Sequence, residues 1–297
     1  MEQRLDLFGN VIEEKGDLKK EFGANPFSIL DTKDGMWQAR KRMWINMGIK
    51  SEVGRDAVTY HMKDWADKKG EDGTLSGNKL PSDTSIFDPV LCEIMYRWFC
   101  PNGGSILDPF AGGSVRGIVA NYLGYKYTGI DIRQEQVDSN REQAIEILGV
   151  DNQPQWYVGD SNVVLDRDWN GKTFDMVFTC PPYADLEVYS DLKGDISNMD
   201  YDDFMFTLES IIRKSCKLLK SGGMAIMVVG EVRNKQGNYY GFVADTIKAF
   251  QRCKGMGFYN DAVLATSLAS AALRAGGNMK YGKLVKVHQN VLMFKKA

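Results

Sequence analysis

Residues 179–183 read Thr179-Cys180-Pro181-Pro182-Tyr183 and follow an apolar run, Asp175-Met176-Val177-Phe178. Proline fixes φ and lacks an N–H, so the carbonyls around Pro181 and Pro182 stay outside any strand ladder and can face a ligand. Tyr183 offers a flat ring for stacking. A carbonyl acceptor beside a stacking platform suits a flipped-out nucleobase with an exocyclic amino group. The competing reading of Pro-Pro after a strand is a plain loop.

A second cluster changes that balance. Asp108-Pro109-Phe110-Ala111-Gly112-Gly113-Ser114 follows a short apolar run and precedes a helical pattern. Gly112 and Gly113 let backbone approach a ligand closely beside a helix N-terminus. The turn is not G-x-G-x-x-G and lacks the Gly-Lys-Ser/Thr of a P-loop, which disfavours a nucleoside triphosphate. Asp131-Ile132 ends the next strand, where an acidic side chain can accept both hydroxyls of a ribose. Asp160-Ser161 ends the third, where a carboxylate can receive the amino group of an adenine. Each acid alone also reads as a helix N-cap. Acids at three successive strand ends imply an adenosine compound held without a phosphate cradle. S-adenosyl-L-methionine fits, because its sulfonium and ammonium are cationic.

These groups need a scaffold. Asp88-Pro89 opens a helix to about Phe99, and Ser105–Leu107 reads as a buried strand. A helix over 114–123, strand 127–130, helix 134–148, strand 156–158 and strand 176–178 follow. Then come an amphipathic helix over 202–219 stopped by Ser221-Gly222-Gly223, strand 225–229 and a helix over 241–254. Residues 263–265 and 290–294 close the chain as strands without a crossover helix, which predicts an antiparallel edge pair. The fold class is α/β: a Rossmann-like, mostly parallel sheet with helices on both faces. Residues 1–80 read as an N-terminal extension and 81–297 as the catalytic domain.

The 297 residues are 43% hydrophobic and 26% charged, ordinary globular composition. No apolar run reaches the roughly 18 residues of a membrane helix, and Met1–Asp6 has no signal-peptide character. The five cysteines have no C-x-x-C spacing and there are two histidines, so neither a disulfide framework nor a metal site is expected. Such cysteine usage suits a reducing cytoplasm. The formal net charge is −2, but charge is segregated: residues 262–297 hold no Asp or Glu, and 185–203 is strongly acidic. Arg40-Lys41-Arg42, on a helix over Trp37–Met47, and Arg274 with Lys280 are candidate nucleic-acid contacts.

Together these residues resemble the S-adenosylmethionine-dependent amino-methyltransferases of DNA, which act on adenine N6 or cytosine N4. That family carries Asp-Pro-Phe-x-Gly-Ser-Gly at the cofactor loop and Asp/Asn/Ser-Pro-Pro-Tyr/Phe/Trp at the catalytic loop. The helix from Asp88-Pro89 is similar to the one that lines the methionine end of the family's cofactor site. The resemblance covers about 85–297. The whole chain also looks like methylases of bacteriophage and prophage, which places it in a bacterial or phage-infected cytoplasm, in restriction–modification or genome protection. The resemblance implies site-specific methylation of double-stranded DNA, as a monomer or homodimer. The methyl would pass in line to a base stacked on Tyr183, with Cys180 and the Pro181-Pro182 carbonyls orienting its amino group, and no metal would take part.

Two departures stand out. Cys180 occupies the place of Asp, Asn or Ser, and a thiol bonds an amino group weakly. No long insert separates the two loops, so the family's target-recognition domain must be small here, or lie in residues 1–80 and the 267–286 loop. Three rivals remain: a carbon-5 pyrimidine methyltransferase with Cys180 as nucleophile, an RNA amino-methyltransferase, and an inactive DNA-binding protein.

Overall fold

The computed structural model describes residues 18–50, 87–182, 190, 192, 194–266 and 269–297, except for the side chains of 269, 270 and 272–274. Tyr183, most of the acidic segment up to residue 193, and the expected boundary at residue 80 lie outside them.

Eight strands form one sheet. In chain order they are β1 (Ile29–Asp31), β2 (Ser105–Asp108), β3 (Lys126–Asp131), β4 (Gln155–Val158), β5 (Phe174–Thr179), β6 (Leu219–Val229), β7 (Met256–Ala265) and β8 (His288–Lys296). Their spatial order is β1-β7-β8-β6-β5-β2-β3-β4. Pairing is parallel everywhere except around β8, which runs antiparallel to both β6 and β7. The expected antiparallel C-terminal pair is present, but β1 adds in parallel outside β7 and takes the edge. The Rossmann-like, mostly parallel α/β sheet read from the sequence is the observed architecture.

Side chains alternate across the sheet with the period of a strand. On β5, Met176 and Phe178 enter one core and Val177 the other. The first core lies under α2 (Gly35–Asn46), α3 (Pro89–Phe99), α4 (Val115–Tyr122) and α5 (Gln134–Leu148). The second lies under α7 (Tyr201–Leu218) and α8 (Phe242–Gln251). Among the described residues the other α-helices are short α1 (Leu18–Phe22), one-turn α6 (Ser161–Val164) and α9 (Ala269–Met279).

Helix α3 is buried from Pro89 through Tyr96, since α4 and α2 pack on it and Tyr96 meets Phe178 of the sheet edge-to-face at 5.3 Å. Asp88 starts it: one carboxylate oxygen accepts the N–H groups of Val90 (2.9 Å) and Leu91 (3.3 Å), and Pro89 fits the first turn, where no N–H is needed. Helix α7 buries Phe204, Leu208, Ile211, Ile212, Ser215 and Cys216, a stripe at helical period.

Three elements depart from expectation. Helix α7 stops at Leu218, and β6 runs straight through Ser221-Gly222-Gly223. Gly222 sits at φ +77°, and the pairing with β5 shifts register between Phe174 and Met176, so the glycines make an irregular strand rather than a loop. β7 begins at Met256, seven residues before the expected start, because residues 257–261 are exposed and carry no apolar alternation; the ladder to β8 holds them. Helix α9 replaces part of the expected 267–286 loop.

Candidate cofactor and substrate site

The carboxyl ends of β4, β3, β2 and β5 lie side by side, and the motif residues sit on them. At the centre is Asp108, fully buried at the end of β2. It accepts from Arg116 Nε (2.5 Å), Tyr127 OH (2.7 Å), Thr179 Oγ1 (2.6 Å) and the Phe110 N–H (3.1 Å). These donors account for the lone pairs of a carboxylate. Asp108 therefore shapes the turn, and no oxygen is left to reach a ligand.

Arg116, on α4, is the turn's inner frame. Its guanidinium also donates to the Phe110 and Ala111 carbonyls (2.9 Å to Ala111) and lies 4.5 Å over the Phe87 ring. Burial pulls its pKa down, but neighbouring Asp108, Tyr127 and Cys180 outweigh that and hold it above the usual arginine value. Burial, then Asp108, pushes the Tyr127 phenol well above its usual range, so it stays a donor. Tyr127 and Arg116 escaped the sequence reading. A lone arginine in the first turn of an otherwise apolar helix was the available signal for Arg116.

Gly112 takes φ +50°, a left-handed conformation that glycine adopts freely. Its N–H donates to Asp131 Oδ2 (2.9 Å) and its carbonyl accepts from Asn140 Nδ2 (2.8 Å). Asp131 also accepts the Arg133 N–H at 2.9 Å, and Ile132 between them is half-buried. Buried Ser114 donates to Gln143 Oε1 (2.8 Å) and makes no side-chain cap for α4. Asp160 caps α6 by accepting the Asn162 N–H (2.8 Å). Ser161 donates to the Pro109 carbonyl, tying the β4 end to the β2 turn. Gly194, at φ +103°, presses on Asp160: a Cβ there would lie 2.9 Å from Asp160 Oδ2. The sequence reading missed this glycine.

Beyond β5, Cys180 is half-buried against the first core, Pro181 is buried and Pro182 is partly exposed. The hydroxyl of Thr179, at the base of this loop, bonds directly to Asp108 of the β2 turn. Asp88, Pro89, the β2 turn, Asp131-Ile132, Asp160-Ser161 and Cys180–Pro182 thus all gather at this edge or beside it.

The basic candidates on α2 are placed differently. Lys41 Nζ (3.1 Å) and Trp37 Nε1 (3.2 Å) donate to Asp88. Arg40 and Trp44 Nε1 (3.1 Å) bond the buried carboxylate of Glu93, which Arg97 also reaches at 3.0 Å. Arg40 and Lys41 thus dock α2 on α3 through ion pairs to Glu93 and Asp88. Arg42 and Lys280 are exposed, and the Arg274 side chain is outside the described atoms. Among the described residues no cluster of His, Cys, Asp or Glu could hold a metal ion, and no helix is long and apolar enough to cross a membrane.

The structure of TrmN from Thermus thermophilus superposes with a TM-score of 0.50 at 14% identity, over 72% of this chain and 50% of that one. The fold is that of the Rossmann-like methyltransferases. Magnesium protoporphyrin IX methyltransferase from Synechocystis, crystallised with S-adenosylmethionine, is similar at a TM-score of 0.41 and 14% identity, over 66% of this chain and 71% of that one. A tRNA (guanine(10)-N2)-dimethyltransferase of Pyrococcus abyssi is 38% identical over 79 residues, 27% of this chain and 23% of that protein. The chain thus matches about a quarter of that curated relative's length. No family model matches the sequence.

Proposed function

We propose that this protein transfers the methyl group of S-adenosylmethionine to an exocyclic amino group of a nucleobase, with double-stranded DNA as substrate and adenine N6 or cytosine N4 as acceptor. One observation carries the reading. The turn Asp108–Ser114 and the loop Cys180–Pro182 leave adjacent parallel strands, and Thr179 and Asp108 lock them together at 2.6 Å. A cofactor on one loop and a base on the other would meet across that lock.

The residues present suit this cofactor. A turn bent at Gly112 admits close approach of a ligand to backbone, and acids at the ends of β3 and β4 suit hydroxyl donors and a cation. In this reading Asp131 holds the ribose and Asp160-Ser161 meets the adenine edge. Phe110, Ala111 and Gly113 line the turn, with Asp88-Pro89 fixing the helix behind it. Bound S-adenosylmethionine supplies an electrophilic methyl and a neutral leaving group. The protein's share is positioning. The Pro181-Pro182 carbonyls and Cys180 accept amino hydrogens and aim the nitrogen lone pair, and Tyr183 stacks on the base.

A second reading, amino transfer to RNA, has one observation behind it: the Pyrococcus abyssi relative is named for methylating guanine N2 in tRNA, also an exocyclic amino nitrogen. Turnover of Tyr183→Ala and Cys180→Ser on both substrates tests the chemistry. Tyr183→Ala should lose most turnover at unchanged cofactor affinity, and Cys180→Ser should keep activity. Loss of all transfer in Cys180→Ser would support carbon-5 chemistry instead.

A further inference from the structure

Two loops at the same edge of the sheet remain outside the proposed reaction. The first, residues 232–240, leaves the carboxyl end of β6, the strand beside β5. It folds back as a small hairpin: Arg233 bridges Tyr239, the Tyr240 N–H meets the Val232 carbonyl (3.0 Å), and the Asn234 N–H meets the Asn238 carbonyl (2.8 Å). Its base is rigid. Tyr240 stacks on Tyr201 at 4.1 Å and 8°, and Glu231 accepts the first N–H groups of α8 from Phe242 and Val243, each at 3.1 Å. In its stem Arg233 lies 3.9 Å over the Tyr239 ring and reaches up to donate to the Gly237 carbonyl (2.7 Å).

The second loop, residues 280–287, enters β8, whose Asn290 pairs with Val229 at the end of β6. It adjoins the hairpin, because the Lys283 ammonium lies in the space that a Cβ on Gly237 would take. Between them the two loops hold Arg233, Lys235, Lys280, Lys283 and Lys286 and no acid. Lys235 and Lys280 are exposed, as are the rings of Tyr239 (46%) and Tyr281 (79%). The hairpin stem is braced on the protein, while Lys235, Gln236 and Asn238 around its turn stand exposed. Cations interleaved with solvent-exposed aromatic rings fit a phosphate backbone with neighbouring bases or sugars.

We propose that the 232–240 hairpin and the 280–287 loop together grip the sugar–phosphate backbone of the nucleic-acid strand next to the target base. This rests on the nucleic-acid reading above. Adjacent strands lie about 4.8 Å apart, so the β6 and β8 ends stand roughly 5 and 10 Å from Cys180 along the edge, within one or two nucleotides of the pocket. The grip recognises phosphate, which DNA and RNA share.

The test is the salt dependence of binding by the full chain to a fluorescein-labelled DNA duplex and to an RNA hairpin. Lys235→Gln with Lys283→Gln should weaken binding and flatten the slope of log K against log salt by roughly 2 on duplex, one phosphate per lysine. Lys235→Arg should restore its share. S-adenosylmethionine affinity should stay at the wild-type value, which controls for folding. A larger loss on RNA than on duplex supports the same grip with RNA as substrate. An unchanged slope in the double variant, while wild type binds and methylates nucleic acid, overturns the grip alone. Wild type that binds neither probe overturns the grip and the nucleic-acid reading together.

Discussion

Thr179 donates its hydroxyl to Asp108 across 2.6 Å, and that bond joins the last residue of β5 to the last residue of β2. Both residues are fully buried. Asp108 also carries the buried Arg116 (2.5 Å), so one carboxylate fixes the glycine turn, the helix behind it and the Pro-Pro loop.

Thr179→Val keeps the shape and removes the donor. The expected cost is about 1 kcal/mol of stability, with a larger fall in kcat than in cofactor affinity, because the two loops lose register. Asp108→Asn leaves Arg116 buried without a counter-charge and should cost roughly 3–5 kcal/mol. Urea unfolding of both variants checks the order. Equal losses would show that the Arg116 pair adds nothing to the frame.

Asp131→Ala should weaken S-adenosylmethionine binding by at least about tenfold, the scale of a lost charged hydrogen-bond partner, with a modest effect on folding. Calorimetric titration of cofactor into the variant checks it. Wild-type affinity would remove Asp131 from the ribose site.

Arg40 and Arg42 should behave oppositely although they are neighbours in sequence. Arg40→Gln strips a partner from Glu93, which is 3% exposed, and should cost roughly 2–4 kcal/mol with the salt slope of DNA binding unchanged. Arg42 is exposed, and Arg42→Gln should leave stability within about 0.5 kcal/mol. A lower salt slope in the Arg42 variant alone would assign that side chain to the substrate. A stable Arg40 variant with a lower slope would contradict the docking role.

Asp175 predicts an acid-side pH dependence. Burial raises its pKa, but bonds from Lys220 (2.8 Å), the Ser105 N–H (2.8 Å) and Ser105 Oγ (3.0 Å) outweigh this and hold it below the usual carboxylate value. A depressed folded-state pKa stabilises above the unfolded value, near 3.9, and that gain disappears as pH falls through the folded value. Asp175→Asn should be less stable than wild type by roughly 1–2 kcal/mol at pH 7, mostly from the Ser105 bonds, since half-exposed Lys220 adds little. The gap should close below about pH 4. A constant gap down to pH 2 would mean that the charge does not matter.

Much of this frame was legible in the sequence. Strand ends marked by Asp108, Asp131, Asp160 and Cys180 are signalled locally, by apolar runs that stop at an acid or a proline. What the sequence hid is what long-range pairing decides. β1 has three residues and exists because β7 offers an edge. Residues 257–261 are exposed and lack an apolar alternation, and their ladder to β8 makes them strand. Within the site, Asp108 reads as a ligand contact until Arg116, Tyr127 and Thr179 are seen around it, and those partners come from three different elements. The charge of Arg40 and Lys41 looked available for phosphate because Glu93 and Asp88 are some fifty positions away in the chain.

The most direct test of the central claim is to incubate the purified protein with methyl-labelled S-adenosylmethionine and unmethylated DNA or RNA, digest to nucleosides and locate the label by mass spectrometry. The account predicts label on an exocyclic nitrogen, as N6-methyladenine or N4-methylcytosine in DNA. Label on carbon 5 of a pyrimidine would contradict it and make Cys180 the nucleophile.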